Sequence, residues 1–194
     1  EKIISTGGEG GMITTNNEEL FKDIETFKDH GKNFDLIKKK ANTNSSYRFL
    51  HENLGTNIRL TEMQSAIGRI QLTKLVTWNK IRERNALLLR EIVCESKAIE
   101  IPLPSEGFKH AWYKLYGYIN PKYLLSDWNR DRIIKEIISS GAPAFSGSCS
   151  ELYLEKCFNN LNQKRLPNAR ILGEQSLMLL VDQTFDEENI EKYG

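Results

Sequence analysis

Cysteine is scarce in this chain. Cys94, Cys149 and Cys157 are its whole complement, an odd number without a CxxC pair. Neither a disulfide framework nor a zinc site fits that count and spacing. Free thiols suit a reducing compartment, so the expected location is cytoplasmic. Long apolar runs are lacking too: none approaches the roughly 20 residues that a membrane-spanning helix needs. Nor is there an excess of charge of one sign. Lys and Arg number 27 against 26 Asp and Glu, a formal net charge of +1. That balance gives no reason to expect nucleic acid or an anionic membrane as partner. The one basic cluster, Lys38-Lys39-Lys40, lies in a polar stretch and reads as a solvated loop. Histidine is limited to His30, His51 and His110, which leaves few candidates for imidazole chemistry.

What is present is enough for a core. A chain of 194 residues can bury roughly 70% of the surface its unfolded form exposes. Residues 12–15 read as a short strand. Asn16 then caps a helix, with Glu19 completing a box-like pair. Leu20, Ile24 and Phe27 follow at helical spacing, and Gly31 stops the helix. Residues 32–57 read as a long polar excursion centred on Asn42-Thr43-Asn44-Ser45-Ser46; such loops in compact enzymes are usually functional. Thr61-Glu62-Met63-Gln64 is a capping box opening a long helix to about residue 93. Met63, Ala66, Ile67 and Ile70 form one stripe on it. Trp78, Ile81, Leu88 and Ile92 form a second after a slip in phase, as a helix crossing between domains would show.

Ile99 to Pro102 reads as a brief strand, and Trp112 to Ile119 as a β run whose aromatics Trp112, Tyr116 and Tyr118 pack in the core. Ser126-Asp127 opens a further helix, with Ile133, Ile134, Ile137 and Ile138 as its buried face and Gly141 at its end. Helical pieces are expected at 151–158, capped by Ser150, and at 167–177. Leu179 to Val181 reads as a strand and Asp186 to Tyr193 as a last helix. Helices and strands in alternation place the chain in the α/β or α+β class.

The chemistry concentrates at the start. Lys2 is followed by Ile3-Ile4-Ser5-Thr6-Gly7-Gly8-Glu9-Gly10-Gly11-Met12-Ile13. A primary amine can condense with an aldehyde cofactor that then serves as an electron sink. The glycines let backbone approach a ligand or turn tightly. No Gly-Lys-Ser/Thr follows, and the dinucleotide fingerprint does not fit either. An ordinary surface lysine before a turn is the alternative.

The segment Lys2–Met12 resembles the lysine motif of the DegT/StrS family of sugar aminotransferases, with one glycine more than its commonest form. Lys28-Asp29-His30-Gly31 is similar to that family's Asp/Glu-His-Gly element. Gly55-Thr56-Asn57-Ile58-Arg59-Leu60-Thr61-Glu62-Met63-Gln64-Ser65-Ala66-Ile67-Gly68 resembles its Gly-x-Asn-x-Arg and Gln-Ala-Ala-x-Gly signature. Ala111-Trp112-Tyr113-Lys114-Leu115-Tyr116 resembles the strand that opens its small domain. The motifs run in family order along essentially the whole chain.

The resemblance implies an α/β fold: the edge of a fold type I (aspartate aminotransferase-like) large domain plus a small α/β C-terminal domain. Residues 1–60 would end the large cofactor domain, 61–97 form a connecting helix, and 98–194 the small domain. It implies pyridoxal 5'-phosphate as cofactor, held covalently by Lys2, which also moves the substrate proton. Asn57 would reach the phosphate of a neighbouring subunit's cofactor, in a homodimer with shared active sites. Arg59 would support the same anionic region or pair with a carboxylate. His30, His110 and Tyr113 are candidates for touching substrate. Pro143 to Glu151 departs from the family's common loop. Its Ser146 and Ser148 could bind a sugar or phosphate, or belong to a turn before a helix.

The implied reaction moves an amino group, from glutamate by expectation, to a nucleotide-linked keto-sugar for cell-envelope polysaccharide or lipopolysaccharide. The implied partners are thus a nucleotide-sugar and an amino acid. In relatives the groups that hold the pyridine ring precede the lysine. The chain therefore reads as the latter part of a larger enzyme, expected on its own to bind cofactor weakly or not at all. Two rivals stand beside this: a sugar dehydratase, whose relatives carry histidine where this chain has Lys2, and a non-catalytic or split-gene remnant of the same fold.

Overall fold

The computed structural model describes residues 3–41, 50–161 and 163–194. Lys2 and the Asn42–Ser46 centre of the expected excursion lie outside the described residues. Two compact units divide between Thr73 and Lys74.

In the first unit, α1 (Glu18–Lys28) is capped by Asn17, one residue later than expected; its side chain accepts the Leu20 N–H. Residues 12–15 form no strand, because no other described segment pairs with them. The excursion instead contains α2 (Phe34–Ala41). Lys38, Lys39 and Lys40 are therefore helical rather than loop residues. Phe34 meets Phe21 of α1 edge-on at 5.4 Å, and that contact gives the short polar helix something to fold against. α3 (Glu62–Val93) starts in this unit. Its capping box is reciprocal: Gln64 N–H donates to Thr61 Oγ1 at 3.3 Å, and Thr61 N–H to Gln64 Oε1 at 3.3 Å. The expected Met63/Ile67/Ile70 stripe is exposed.

The second unit holds the main core. Four strands, β1 (Ile99–Glu100), β2 (Leu115–Ile119), β3 (Ala144–Ser146) and β4 (Ser176–Leu179), make one antiparallel sheet in the order β1-β2-β4-β3. Leu115, Leu179 and Ala144 stand opposite one another across three strands. Ala86 and Leu89 of α3, Ile101, Trp112, Ile119, Ile133, Leu177, Val181 and Ile190 complete the cluster. Because side chains alternate along a strand, Leu115 and Ile119 face this core while Tyr116 and Tyr118 lie half-buried on the other face. Of the three expected core aromatics, only Trp112 is buried.

The buried stripe of α3 is Arg82, Asn85, Ala86 and Leu89, not Trp78, Ile81, Leu88 and Ile92. Its spacing is helical, but its first two members are polar. α4 (Arg130–Ser139) begins at Asn129, whose side chain accepts the Arg132 N–H. Asp127, the expected cap region, binds the Arg132 side chain instead. Residues 152–154 and 156–161 are 3-10 turns rather than one helix. α5 (Pro167–Gln175) runs directly into β4, three residues earlier than the expected strand, and α6 (Glu187–Tyr193) is capped by Asp186.

Candidate active site

The glycine-rich loop that follows Lys2 lies against α3. Gln64 uses both ends of its amide. Oε1 caps the helix, while Nε2 donates to the Glu9 carbonyl at 2.8 Å. Gln71, seven residues and two turns further along the same face, accepts the Ser5 N–H at 3.4 Å. Thr6 Oγ1 closes the loop on itself through the Glu9 carbonyl at 3.3 Å. The loop is thus tied near both ends to one helix.

Beside it in the same unit, the Asp29-His30-Gly31 corner is locked to the segment before α3. His30 N–H donates to Thr56 O at 3.2 Å, Thr56 N–H to Phe27 O at 2.8 Å and Ile58 N–H to Lys28 O at 3.2 Å. Gly31 N–H reaches back to Thr26 O at 2.8 Å, in the manner of a helix C-terminal cap. His30 and Gly31 have φ of 62° and 78°. A Cβ on Gly31 would lie 1.7 Å from Asn53 O, and one on Gly55 2.3 Å from Gly31 N. The two glycines mark a backbone-on-backbone contact that admits no side chain.

Asp29 sits at the centre of this corner. It receives Lys32 Nζ at 3.2 Å and Arg59 Nη1. Burial pushes its carboxyl up, but the Lys32 hydrogen bond and the charges of Lys32, Arg59 and His30 outweigh that and hold it below the ordinary value. Of the two roles open to Arg59, the structure displays the carboxylate pair. Asn57 lies in a bridge with Asp29. Its Oδ1 accepts the Arg59 N–H at 3.3 Å, and its side chain is exposed. His30 is held by its backbone, and its side chain is exposed. His30, Asn57 and Arg59 are thus brought together around Asp29, a residue that pattern reading passed over although it lies within the motif.

The remaining candidates belong to the second unit. His110 Nδ1 accepts the Trp112 N–H at 2.8 Å, which leaves its proton on Nε2 in the neutral form. Its ring lies 4.4 Å from that of Trp112. Trp112 has φ of 50°, a costly conformation for an aromatic residue. Buried Arg82 stabilises this bend, donating from Nη1 to the carbonyls of Trp112 and Tyr113, both at 3.1 Å. Its other donors reach Asp182 Oδ2 and Gln183 Oε1, both at 2.6 Å. Burial works against the Arg82 charge, and Asp182 supports it. His110 and Tyr113 are therefore neighbours fixed by a guanidinium that the sequence reading missed. The only signal available was spacing: Arg82 stands three and four residues before Asn85 and Ala86, and Asn85 four before Leu89, on one helical face, but Lys80, Glu83 and Arg84 around them hide it.

Ser146 is an exposed residue of β3, opposite Leu177. Ser148 Oγ shares a hydrogen bond with the Tyr116 hydroxyl at 3.1 Å. Ser150 donates to Ala169 O at 2.6 Å instead of capping a helix. Glu151 receives Tyr153 Oη at 2.8 Å and a two-pronged Arg165. The Arg165 hydrogen bonds lead in holding its carboxyl down at about 2; burial opposes them and Tyr153 adds to them. Among the described residues no group of His, Cys, Asp or Glu could hold a metal ion.

An anionic phosphate ester suits the donor set at Asn57. With Oδ1 engaged, the amide Nδ2 remains as a double donor without a partner among the described residues. Arg59, by contrast, has its charge met by Asp29.

The model of the DegT/DnrJ/EryC1/StrS aminotransferase family matches residues 1–193. An aminotransferase of Psychrobacter cryohalolentis is similar in structure at 44% identity and a TM-score of 0.89, over 98% of this chain and 51% of that one. Among curated proteins, a UDP-N-acetyl-3-dehydro-alpha-D-glucosamine 3-aminotransferase of Acidithiobacillus ferrooxidans is 25% identical over 98% of this chain and 46% of its own length. A dTDP-4-dehydro-2,6-dideoxy-D-glucose 3-dehydratase of Saccharopolyspora spinosa is 25% identical over 56% of this chain and 26% of its own. The chain spans about half, or less, of the length of these relatives.

Proposed function

The chain belongs to the DegT/DnrJ/EryC1/StrS aminotransferase family, and on that premise we propose that the protein is a pyridoxal-phosphate-dependent sugar aminotransferase. It takes nitrogen from an amino acid, glutamate, and delivers it to a nucleotide-linked keto-sugar destined for cell-envelope polysaccharide. One observation carries this reading most. The glycine loop from Ser5 to Gly11, the Asp29-His30-Gly31 corner and the Asn57–Gly68 segment are separate in sequence, yet hydrogen bonds join them in one unit. The curated relative named as a UDP-sugar 3-aminotransferase supports the sugar class.

When bound, the cofactor would supply the electron sink that makes the substrate Cα–H acidic. Lys2 holds the cofactor through its ε-amine and, once released, moves that proton as general acid and base. Asn57 Nδ2 donates to the phosphate of the cofactor in a second subunit, so a homodimer shares its sites. Asp29 orients Asn57 and Arg59 rather than touching substrate. His110, through Nε2–H, and the Tyr113 side chain face the sugar, and Ser146 with Ser148 offers hydroxyls to it. Residues 1–60 belong to the cofactor domain, 61–97 to the connecting helix and 98–194 to the small domain, in a cytoplasmic protein.

The dehydratase-named relative keeps a second reading in view; the lysine at position 2 favours amino transfer. One experiment decides. Protein expressed from its native reading frame is incubated with glutamate and a nucleotide keto-sugar, and 2-oxoglutarate and amino-sugar are quantified. Equimolar formation of both is expected, together with borohydride fixation of the cofactor on the Lys2 peptide. A dehydrated sugar without 2-oxoglutarate would replace the proposal with the second reading.

A further inference from the structure

We infer that Lys114, with the hydroxyls of Tyr116 and Ser148, holds the diphosphate of the nucleotide-linked sugar, a role that rests on the amino-transfer reading above. Lys114 immediately precedes β2 and is half-buried, whereas every other lysine of the second unit is exposed. Drawing a cation partway out of water is costly unless an opposite charge meets it. Arg82, Arg130 and Arg132 of the same unit each have a carboxylate partner. Among the described residues no carboxylate pairs with Lys114. Two aromatic rings stand there instead. The ammonium lies 5.1 Å from the ring centroid of Tyr113 and 5.8 Å from that of Phe145. Such faces attract a cation without cancelling its charge. They fix where Nζ stands and leave it able to bind an anion.

The neighbours add donors. Tyr116, Met178 and Phe145 stand opposite one another across β2, β4 and β3, so their side chains share the outer face of the sheet. The Phe145 contact brings Lys114 to that face. On it Tyr116 Oη and Ser148 Oγ are 3.1 Å apart. Whichever hydroxyl donates in that bond, the other keeps a proton to give. Among the described residues the one acid in the four strands is Glu100, which stands opposite Tyr118, about 13 Å along the strand from Lys114. A fixed ammonium and a spare hydroxyl proton, remote from that carboxylate, suit a phosphate ester. The reading above sets Tyr113 against the sugar. The diphosphate is bonded to that sugar, and Lys114 is the next residue. The cofactor carries a phosphate as well, so the test must separate the two sources.

Protein expressed from its native reading frame and loaded with pyridoxal 5'-phosphate is titrated calorimetrically with uridine, thymidine, guanosine and cytidine diphosphates. Lys114→Met is expected to weaken the diphosphate that the parent binds by about tenfold, the worth of a hydrogen bond to a charged group, and to flatten its dependence on salt. Lys114→Arg keeps the charge and is expected to bind more tightly than Lys114→Met. Tyr116→Phe combined with Ser148→Ala removes the spare proton and is expected to cost about fivefold. Cofactor affinity, followed by absorbance, is expected to match the parent in Lys114→Met. If Lys114→Met does not fold, Lys114→Gln carries the same test.

Parental diphosphate affinity in Lys114→Met, or a parent that binds none of the four, would overturn the inference. Cofactor affinity lost while diphosphate affinity is kept would hand Lys114 to the cofactor's phosphate and overturn it too. A parent that binds diphosphate through Lys114 yet forms no 2-oxoglutarate from glutamate and a keto-sugar would overturn the amino-transfer reading and leave the diphosphate site standing.

Discussion

Single residues in this chain are constrained by neighbours far away in sequence. Gly31 is the sharpest case. An L side chain at φ of 78° costs about 1–2 kcal/mol by itself, and its Cβ would also overlap Asn53 O at 1.7 Å. Gly141 has an even larger φ of 95° but nothing within 4 Å of its Cβ position. Gly141→Ala should therefore cost about 1–2 kcal/mol. Gly31→Ala should cost more than about 3 kcal/mol, since overpacking adds to the conformational term. Native-state hydrogen exchange over residues 26–58 and 137–142 reads the two changes separately. Equal costs would show that the corner around Gly31 yields without strain. His30, next to it, occupies the left-handed region as a non-glycine, a conformation that histidine tolerates better than branched residues do.

At the scale of elements, the capping box and the long helix it opens were legible, because Thr61 and Gln64 are three apart before an apolar repeat and both hydrogen bonds form. The lysine loop and the Asp-His-Gly corner were legible as motifs. Their joining was not, since it runs through backbone carbonyls that carry no residue identity. The inner face of α3 was misread for a related reason. Pattern reading follows apolar residues, while Arg82 and Asn85 are buried by hydrogen bonds to Trp112, Tyr113, Asp182 and Phe185. The strand expected at 12–15 had the right composition but no described partner, and an unpaired strand is not a strand.

Glu151, Tyr153 and Arg165 form another such device, a cluster joined by side-chain hydrogen bonds. The folded Glu151 carboxyl lies at about 2, below its ordinary value of 4.5. Its contribution is present above the ordinary value and is lost as pH falls from there towards 2. The urea midpoint of the protein should therefore exceed that of Glu151→Gln near neutrality, with the gap closing over that acid range. A gap that persisted to pH 2 would assign the difference to packing instead of charge.

For the whole molecule, burial is unevenly shared. Of the described apolar residues of the first unit only Leu50 is buried, whereas the second unit contains the cluster from Ala86 to Ile190. Residues 74–194 should thus fold as an independent piece, with one cooperative urea transition and a slope of about 1–3 kcal/mol per molar. Residues 1–73 alone should show no such transition. Cooperative unfolding of the shorter piece would mean that its polar contacts suffice without a core. The sheet of the second unit is bounded by β1, with two residues, and β3, with three. Rims this brief offer too few free amides and carbonyls for a foreign chain to zip onto. Crowded copies of this protein are thereby guarded against stacking into fibrils through their sheets, a safeguard built from strand length alone.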